Sequence, residues 1–452
     1  FQNPCKIKSP QQIYKGDSKM SAITSNNIAN SSGITDENIS FSKTWCEKQV
    51  IKGFSSICYY GTLTYTPSRC SNCGFTSETV KIIKYGTKLS RITLTKSANL
   101  PTYLFLKKQR FYCEGCHTTF TASSSLVKRN CFISKRVIQA ISSEGQFISS
   151  EKDIAYRHSV SPTTVNRAIH QWSHQFKPSY GSLPAHLSMD EFKSVKSADS
   201  QMSFIFTDAR KHEIMDILPT RRLHHLKDYF LNYSYEARAS VKTVVVDMNA
   251  PYTSLIRDVF PKAIVIIDRF HLVQLVMRSL NQTRIKLMNR YNTSRPEDKK
   301  VYRKLKSYWK LLLKNKTELS DSDYRYQRLF KGPKSSMGII DYIMTLDVEF
   351  KATYQVAQNL LVAVQHKNIS AYQTLVLSEN KLISPQMKRS LRTLKKYLPE
   401  IANSFKYNDS NGHLEGINNK IKMIKRISFG YRNFTNFRNR ILLGFNNKRV
   451  AS

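Results

Sequence analysis

Residues 241–271 read VKTVVVDMNAPYTSLIRDVFPKAIVIIDRFH. Two short β-branched runs, Thr243 to Val246 and Ile264 to Ile267, each end in an aspartate, Asp247 and Asp268. Between them lies an amphipathic helix closed by Pro261. Short apolar runs separated by about ten helical residues predict parallel strands joined by a crossover helix. In open α/β sheets, ligands and chemistry gather at the C-terminal strand ends, where both carboxylates are delivered. Aspartate at such a point also caps the next helix, and for either residue alone capping is the simpler account. A functional reading needs carboxylates from elsewhere, and the chain supplies them at Asp190 and Glu415.

Upstream, HLSMDEF, SFIFTDAR and HEIMDILP read as three strands of a meander, the first carrying Asp190, followed by a helix at LHHLKDYFLNY. Three antiparallel strands, a helix, a fourth strand, a helix and a fifth strand is the RNase H-like order, assigned to residues 183–271. That order makes the first and fourth strands neighbours and sets Asp190 beside Asp247. Two carboxylates so close repel unless a cation holds them, and hard oxygen ligands suit Mg²⁺ or Mn²⁺.

Downstream, residues 272–400 read as a long, basic, aromatic, all-helical insertion. Residues 401–452 then complete the catalytic core with a helix after the Asn411-Gly412 turn signal and a basic tail. Glu415 sits in that helix's first turn, where an isolated glutamate would merely favour the helix dipole. Lys420, Lys422, Lys425 and Arg426 give the helix positive charge and are read as DNA contacts. The balance tips to function because Glu415 follows two strand-end aspartates in so basic a segment.

Residues 1–45 are expected to be a disordered leader, with Met20 as a plausible start and 1–19 set aside as upstream sequence. Residues 46–125 carry two Cys-x2-Cys knuckles, Cys70/Cys73 and Cys113/Cys116, separated by 39 residues that alternate as hairpin strands do. Four soft ligands so spaced predict a zinc ribbon with structural Zn²⁺; His117 is an alternative fourth ligand. Residues 130–178 read as a helix-turn-helix, with a turn at His158 to Val160, an N-cap at Ser161 and Pro162 at the first helical position. Val165 and Ile169 face inward in this reading. Ser161, Thr163, Thr164, Asn166 and Arg167 are the candidate DNA contacts.

Composition narrows the partners. Lys+Arg is 71 against 32 Asp+Glu among 452 residues, a formal charge of +39 with a pI near 9.9. Solubility alone needs a surplus of only about 2–8 in a small domain, so the excess points to a polyanion. Basic residues interleave with 24 Tyr and 23 Phe, which suits an extended nucleic-acid surface. No signal peptide or membrane-length apolar run is visible. A cytoplasmic protein with reduced cysteines is therefore expected.

The knuckles CSNCG and RFYCEGC, the helix-turn-helix, SMDEF, VVVDMNAPY, FPKAIVIIDRFH and NGHLEGINNKIKMIKRISFGYRNFTNFRNRI together resemble the DDE transposases of bacterial insertion sequences, specifically the ISL-three family. The resemblance runs from about Tyr65 to near the end and implies Asp190, Asp247 and Glu415 as a catalytic triad on two Mg²⁺ or Mn²⁺ ions. Asp268-x2-His271 is similar to a signature that supports the active site in several transposase superfamilies. The resemblance further implies transposon-end and target double-stranded DNA as partners, and a homodimer or larger synaptic assembly near the bacterial nucleoid. Residues 1–45 match nothing in the family. Two other readings stand beside it: a DNA-binding regulator whose RNase H-like domain is inactive, and a structure-specific nuclease of the same fold.

Overall fold

A computed structural model of the chain describes residues 33–445 except 175 and 177. The chain divides into two compact units, one ending at Trp172 and the other beginning at Ser173.

The first unit is built on a five-stranded sheet: β1 (Ile39–Ile51), β2 (Phe54–Leu63), β3 (Ile82–Ser97), β4 (Leu100–Cys113) and β5 (Thr118–Thr121). The order is β1-β2-β4-β3, with β5 along β4. β2 runs parallel to β4, from Ile57 opposite Thr102 to Leu63 opposite Lys108. A two-residue turn joins β3 to β4, and its residues Ala98 (φ 48°) and Asn99 (φ 62°) are both left-handed, as the twist of a tight hairpin demands. Alternation turns Leu63, Ile92, Leu104, Leu106 and Phe111 into one core, which Ile34 also joins. The expected leader therefore has to be shortened. Its residues 34 and 39–45 belong to this fold, because Ile34 is 3 % exposed and β1 begins at Ile39; residues 1–32, including the proposed start, lie outside the described residues. Three helices follow, Lys135–Glu144, Glu151–Arg157 and Pro162–Ser173. The reversal between the last two places Ser159 in the left-handed region (φ 55°).

The second unit holds a second five-stranded sheet: β6 (His186–Lys193), β7 (Met202–Asp208), β8 (Ile214–Leu218), β9 (Thr243–Val246) and β10 (Ile264–Ile267). Its order is β10-β9-β6-β7-β8. β6, β7 and β8 form an antiparallel meander, while β9 pairs parallel with both β6 and β10. All four residues of β9 are buried, which explains its unbroken Thr-Val-Val-Val. Asp216 of β8, 3 % exposed, accepts from Arg438 Nε (2.8 Å) and from the Tyr229 hydroxyl (2.8 Å), tying the last helix, Phe434–Phe445, to the sheet.

The insertion departs from expectation in one respect. It is not wholly helical, because Arg325–Gln327 and Gly332–Lys334 pair as a small hairpin. Its helices share one continuous core with the sheet: Leu280, Ile340, Phe350, Leu360 and Met387 belong to the same buried cluster as Val244, Val246 and Ile267. No helix among the described residues is long and apolar enough to cross a membrane.

Candidate active site

The register of the second sheet builds the site. β6 and β9 pair as Leu187–Val244 and Ser188–Val245; carried two residues further, the same offset sets Asp190 opposite Asp247. β9 and β10 pair Val246 with Ile267, and the Asp268 N–H donates to the Val246 carbonyl (3.0 Å). Three aspartates thus stand in a row across three adjacent strands, whose spacing is about 4.8 Å. Helix capping does not account for Asp247, since the N-cap residue of the next helix, Ala250–Val259, is Asn249.

Each carboxylate has a distinct setting. Asp190 Oδ1 accepts from the Glu191 N–H (2.7 Å), and Oδ2 accepts from Asn418 Nδ2 (2.7 Å). Burial, reinforced by the charge of Asp247, pushes the Asp190 carboxyl up to about 6. Oδ1 of Asp247 is shut off from solvent, and His271 Nε2 lies 2.7 Å from it as an ion-pair partner. That carboxylate raises the pKa of His271 against the opposing effect of burial. Asp268, 5 % exposed, lies 3.9 Å from the same ring nitrogen, and burial raises its pKa.

Glu415 reaches this end of the sheet on the helix Gly412–Ile427, whose buried face is Leu414, Ile417, Ile421 and Ile424. The helix is pinned on either side of Glu415. Asn411 donates from its side chain to the Met189 carbonyl (3.1 Å) and from its backbone to Asp268 Oδ1 (3.5 Å), and Asn418 holds Asp190. Residues 411, 415 and 418 fall on one helical stripe, so Glu415 shares the face of the two pinning asparagines, and its side chain is exposed. His413 adds a further clamp. Its Nε2 lies 2.8 Å from Thr207 Oγ1 and its ring stacks on His212 at 4.4 Å, while burial and that neighbour lower its pKa to about 4. Sequence reasoning missed Asn411, His413 and Asn418. The polar stripe through Glu415 was the available signal.

The fit to a divalent cation is partial. A buried Asp247 oxygen, with the Asp190 carboxyl driven toward its neutral form by burial and by that neighbour, makes a pair of hard donors that a shared divalent cation would suit. Yet only the cysteines, among the described residues, bring three or more potential metal-ligating atoms within 4.8 Å of one another. Those are Cys70, Cys73, Cys113 and Cys116. The sulfurs of Cys70 and Cys116, and those of Cys73 and Cys113, are 3.8 Å apart, the edge expected of a tetrahedron with bonds of about 2.3 Å to zinc. The four thiols could hold a structural zinc. His117 instead turns its Nδ1 to the Tyr112 hydroxyl (3.0 Å).

The expected DNA contacts divide. Ser161, Thr163 and Arg167 are exposed, but Thr164 is turned inward at 6 % exposure and bonds the Ser161 hydroxyl (3.0 Å), which corrects its outward assignment. Asn166 directs its amide at the Glu151 carboxylate (3.3 Å). Lys422 and Arg426 are exposed, whereas Lys420 donates to the Gly444 carbonyl and Lys425 to that of Ser194, with burial lowering both pKa values. Those two lysines fasten the helix to its neighbours.

Comparison with known proteins agrees with this geometry. The sequence profile of the ISL3 family of DDE transposases, described as "Transposase", matches residues 187–441, which is more than half of the chain and includes all three proposed catalytic residues. The chain is 24% identical over 370 residues to the transposase for insertion sequence element IS1001 of Bordetella parapertussis, covering 80% of this chain and 85% of that one. It is also 26% identical over 298 residues, 65% of this chain and 81% of the relative, to a Lactococcus lactis subsp. lactis protein named "ATP-dependent protease". The extent of the profile match, from β6 into the last helix, shows that the chain belongs to the ISL3 family of DDE transposases.

Proposed function

We propose that the chain binds the terminal inverted repeats of its insertion sequence and catalyses DNA cleavage and strand transfer in an RNase H-like core. The observation that carries this reading is the register setting Asp190 opposite Asp247, with the Glu415 helix pinned beside them. Asp190, Asp247 and Glu415 would hold two divalent ions, Mg²⁺ or Mn²⁺, which when bound neutralise the scissile phosphate and lower the pKa of the attacking hydroxyl.

The chain's own residues do the rest. Asn418 orients the Asp190 carboxylate through its amide, and His271 Nε2, 2.7 Å from Asp247 Oδ1, steadies that carboxylate. Asp268 fixes the Asn411 backbone and so the start of the Glu415 helix. No covalent enzyme intermediate is required, since positioning and charge neutralisation lower the barrier. The cysteine knuckles, as a zinc ribbon, and the helices Glu151–Arg157 and Pro162–Ser173, as a helix-turn-helix, hold the transposon ends. The large positive charge grips backbone phosphate, and paired ends imply at least a dimer.

The test is cleavage and strand transfer on the element's end DNA with Mg²⁺ or Mn²⁺, comparing wild type with Asp247→Ala and Glu415→Ala. Activity lost in both variants, with DNA binding kept, supports the assignment; variants that still cut refute the triad. A DNA-binding regulator is the second reading, favoured because, among the described residues, Asp190, Asp247 and Glu415 do not bring three ligand atoms within 4.8 Å of one another; wild-type nicking that requires divalent ions removes it. An ATP-dependent activity finds no support in the sequence, which contains no G-x-x-x-x-G-K-[ST] phosphate loop.

A further inference from the structure

The first unit contains a cleft of about 600 Å³ whose lining comes from distant parts of the chain. Its lining takes in Arg69, Ser71 and Asn72 of the first cysteine knuckle and the segment 127–132. Five cations line it, Arg69, Lys88, Lys108, Lys128 and Arg129, and no acidic residue does. None of the five makes an ion pair among the described residues.

The lining includes an arrangement that is unfavourable on its own. Lys88 of β3 and Lys108 of β4 stand directly opposite each other in the antiparallel register, and like charges so placed destabilise a sheet. Burial, together with Lys88, lowers the pKa of Lys108. Hydroxyl groups of Ser68, Ser71, Thr119 and Thr121 and the amide of Asn130 also line the cleft. Lysine pairs, arginines and hydroxyls without a counter-charge are the donor set that recognises phosphate.

We infer that this cleft binds the sugar–phosphate backbone of double-stranded DNA, positioning the duplex without reading its bases. The inference rests on the transposase reading and deepens it, by placing sequence-independent grip beside the knuckle. The Asn72 amide donates to Thr118 Oγ1 (2.8 Å) in the second knuckle's loop, so a zinc held by the four cysteines would also fix that part of the lining. Backbone contacts of this kind set register on DNA, while base edges carry specificity.

The experiment measures affinity of the full-length protein for end duplex and for a scrambled duplex by fluorescence anisotropy across a salt series. Every phosphate that a variant no longer neutralises reduces the slope of log affinity against log salt by about 0.9. The Lys88→Ala/Lys108→Ala variant is expected to lose about 2 from that slope, and roughly tenfold in affinity, equally on both duplexes. Lys108→Arg keeps the charge and is expected to bind as wild type does. Zinc content and the melting transition of each variant report whether the unit is still folded. A loss confined to end DNA would mean base reading and overturn the inference, as would an unchanged slope. An equal loss in Lys48→Ala/Lys52→Ala, outside the cleft, would reduce the effect to bulk charge and overturn it too. A larger loss on RNA than on duplex DNA overturns the assignment of partner. Divalent-dependent nicking by wild type, run in parallel, separates failure of this site from failure of the transposase reading.

Discussion

Replacing Asp190 with asparagine should stabilise the metal-free protein while abolishing its chemistry. Burial and the Asp247 charge push the Asp190 carboxyl from the ordinary 3.8 up to about 6. A carboxyl whose folded pKa is raised favours folding below the unfolded value, and that contribution is lost as pH rises through the folded one. At pH 8 the ionised form therefore opposes folding. A shift of about two units corresponds to roughly 3 kcal/mol, an upper figure because solvent reaches part of the side chain. The substituted amide would keep the shape and still accept a bond from Asn418 while giving up the one from the Glu191 N–H, so Asp190→Asn recovers part of that energy. For a unit of this size roughly 3 kcal/mol corresponds to a rise of about 5–10 °C in Tm. The assay is thermal and urea unfolding in magnesium-free buffer between pH 4 and 8. The gain should vanish near pH 4 and reach its maximum above pH 6.5. Added Mg²⁺ should stabilise wild type more than the variant, since a ligand of the native state raises its stability. A variant no more stable than wild type at pH 8, or a gain that ignores pH, refutes the reasoning.

Other outcomes follow from particular contacts. Asn418→Ala removes the donor that holds Asp190 ionised; end cleavage should fall roughly 10–100-fold, a loss of about 1.4–2.7 kcal/mol in transition-state stabilisation, with the acid limb of the pH–rate profile moved to higher pH and DNA affinity unchanged. Arg438→Ala strands the buried Asp216 charge and should cost about 3–5 kcal/mol in urea unfolding, whereas a cost below about 1 kcal/mol would show the pair to be idle. Cys113→Ser should release zinc and lower the melting transition of the first unit while leaving that of the second in place; retained zinc contradicts the four-cysteine site. His413, lowered to about 4, contributes stability above its unfolded pKa that is lost as pH falls toward 4. His413→Gln should flatten that acid loss relative to wild type.

The second sheet is legible in the sequence because its signals are local. Thr243 to Val246 is β-branched and bounded by polar residues, and burial on both faces rewards such a run. The helix start at Pro162 can be read from a serine whose hydroxyl accepts from the Thr164 N–H (3.2 Å). What cannot be read depends on long-range placement. Thr164 is small and polar and so reads as outward-facing, but helical phase puts it beside Val165 and Ala168 in the core. Lys420 and Lys425 count as positive charge in the sequence, yet each ammonium lies over an aromatic ring, Phe445 at 4.4 Å and Phe437 at 5.9 Å, and donates to a carbonyl. Asn418 lies 228 residues from Asp190 and Asn411 lies 222 from Met189. No local pattern joins residues so far apart.

That separation bears on how the Glu415 helix is held beside the sheet. Asn411 and Asp268, 143 residues apart, are brought to 3.5 Å, closing a loop that contains the insertion. Loop-closure entropy grows only logarithmically, by about 0.6 kcal/mol for each doubling of length, so a long insertion costs little more than a short one. A floppy loop would still leave Glu415 free to wander. Here the insertion helices bury Phe350, Leu360 and Met387 in the same core as β9 and β10, and the helix Leu398–Lys406 fixes its Asn403 side chain to the Val265 carbonyl of β10 (2.8 Å). The chain is therefore anchored on the sheet a few residues before it enters the Glu415 helix. Catalytic geometry depends on such anchoring, since misplacement of about 1 Å can cost 100-fold in rate. The insertion thus shapes the site mechanically, through the core it shares with the strands that carry Asp247 and Asp268.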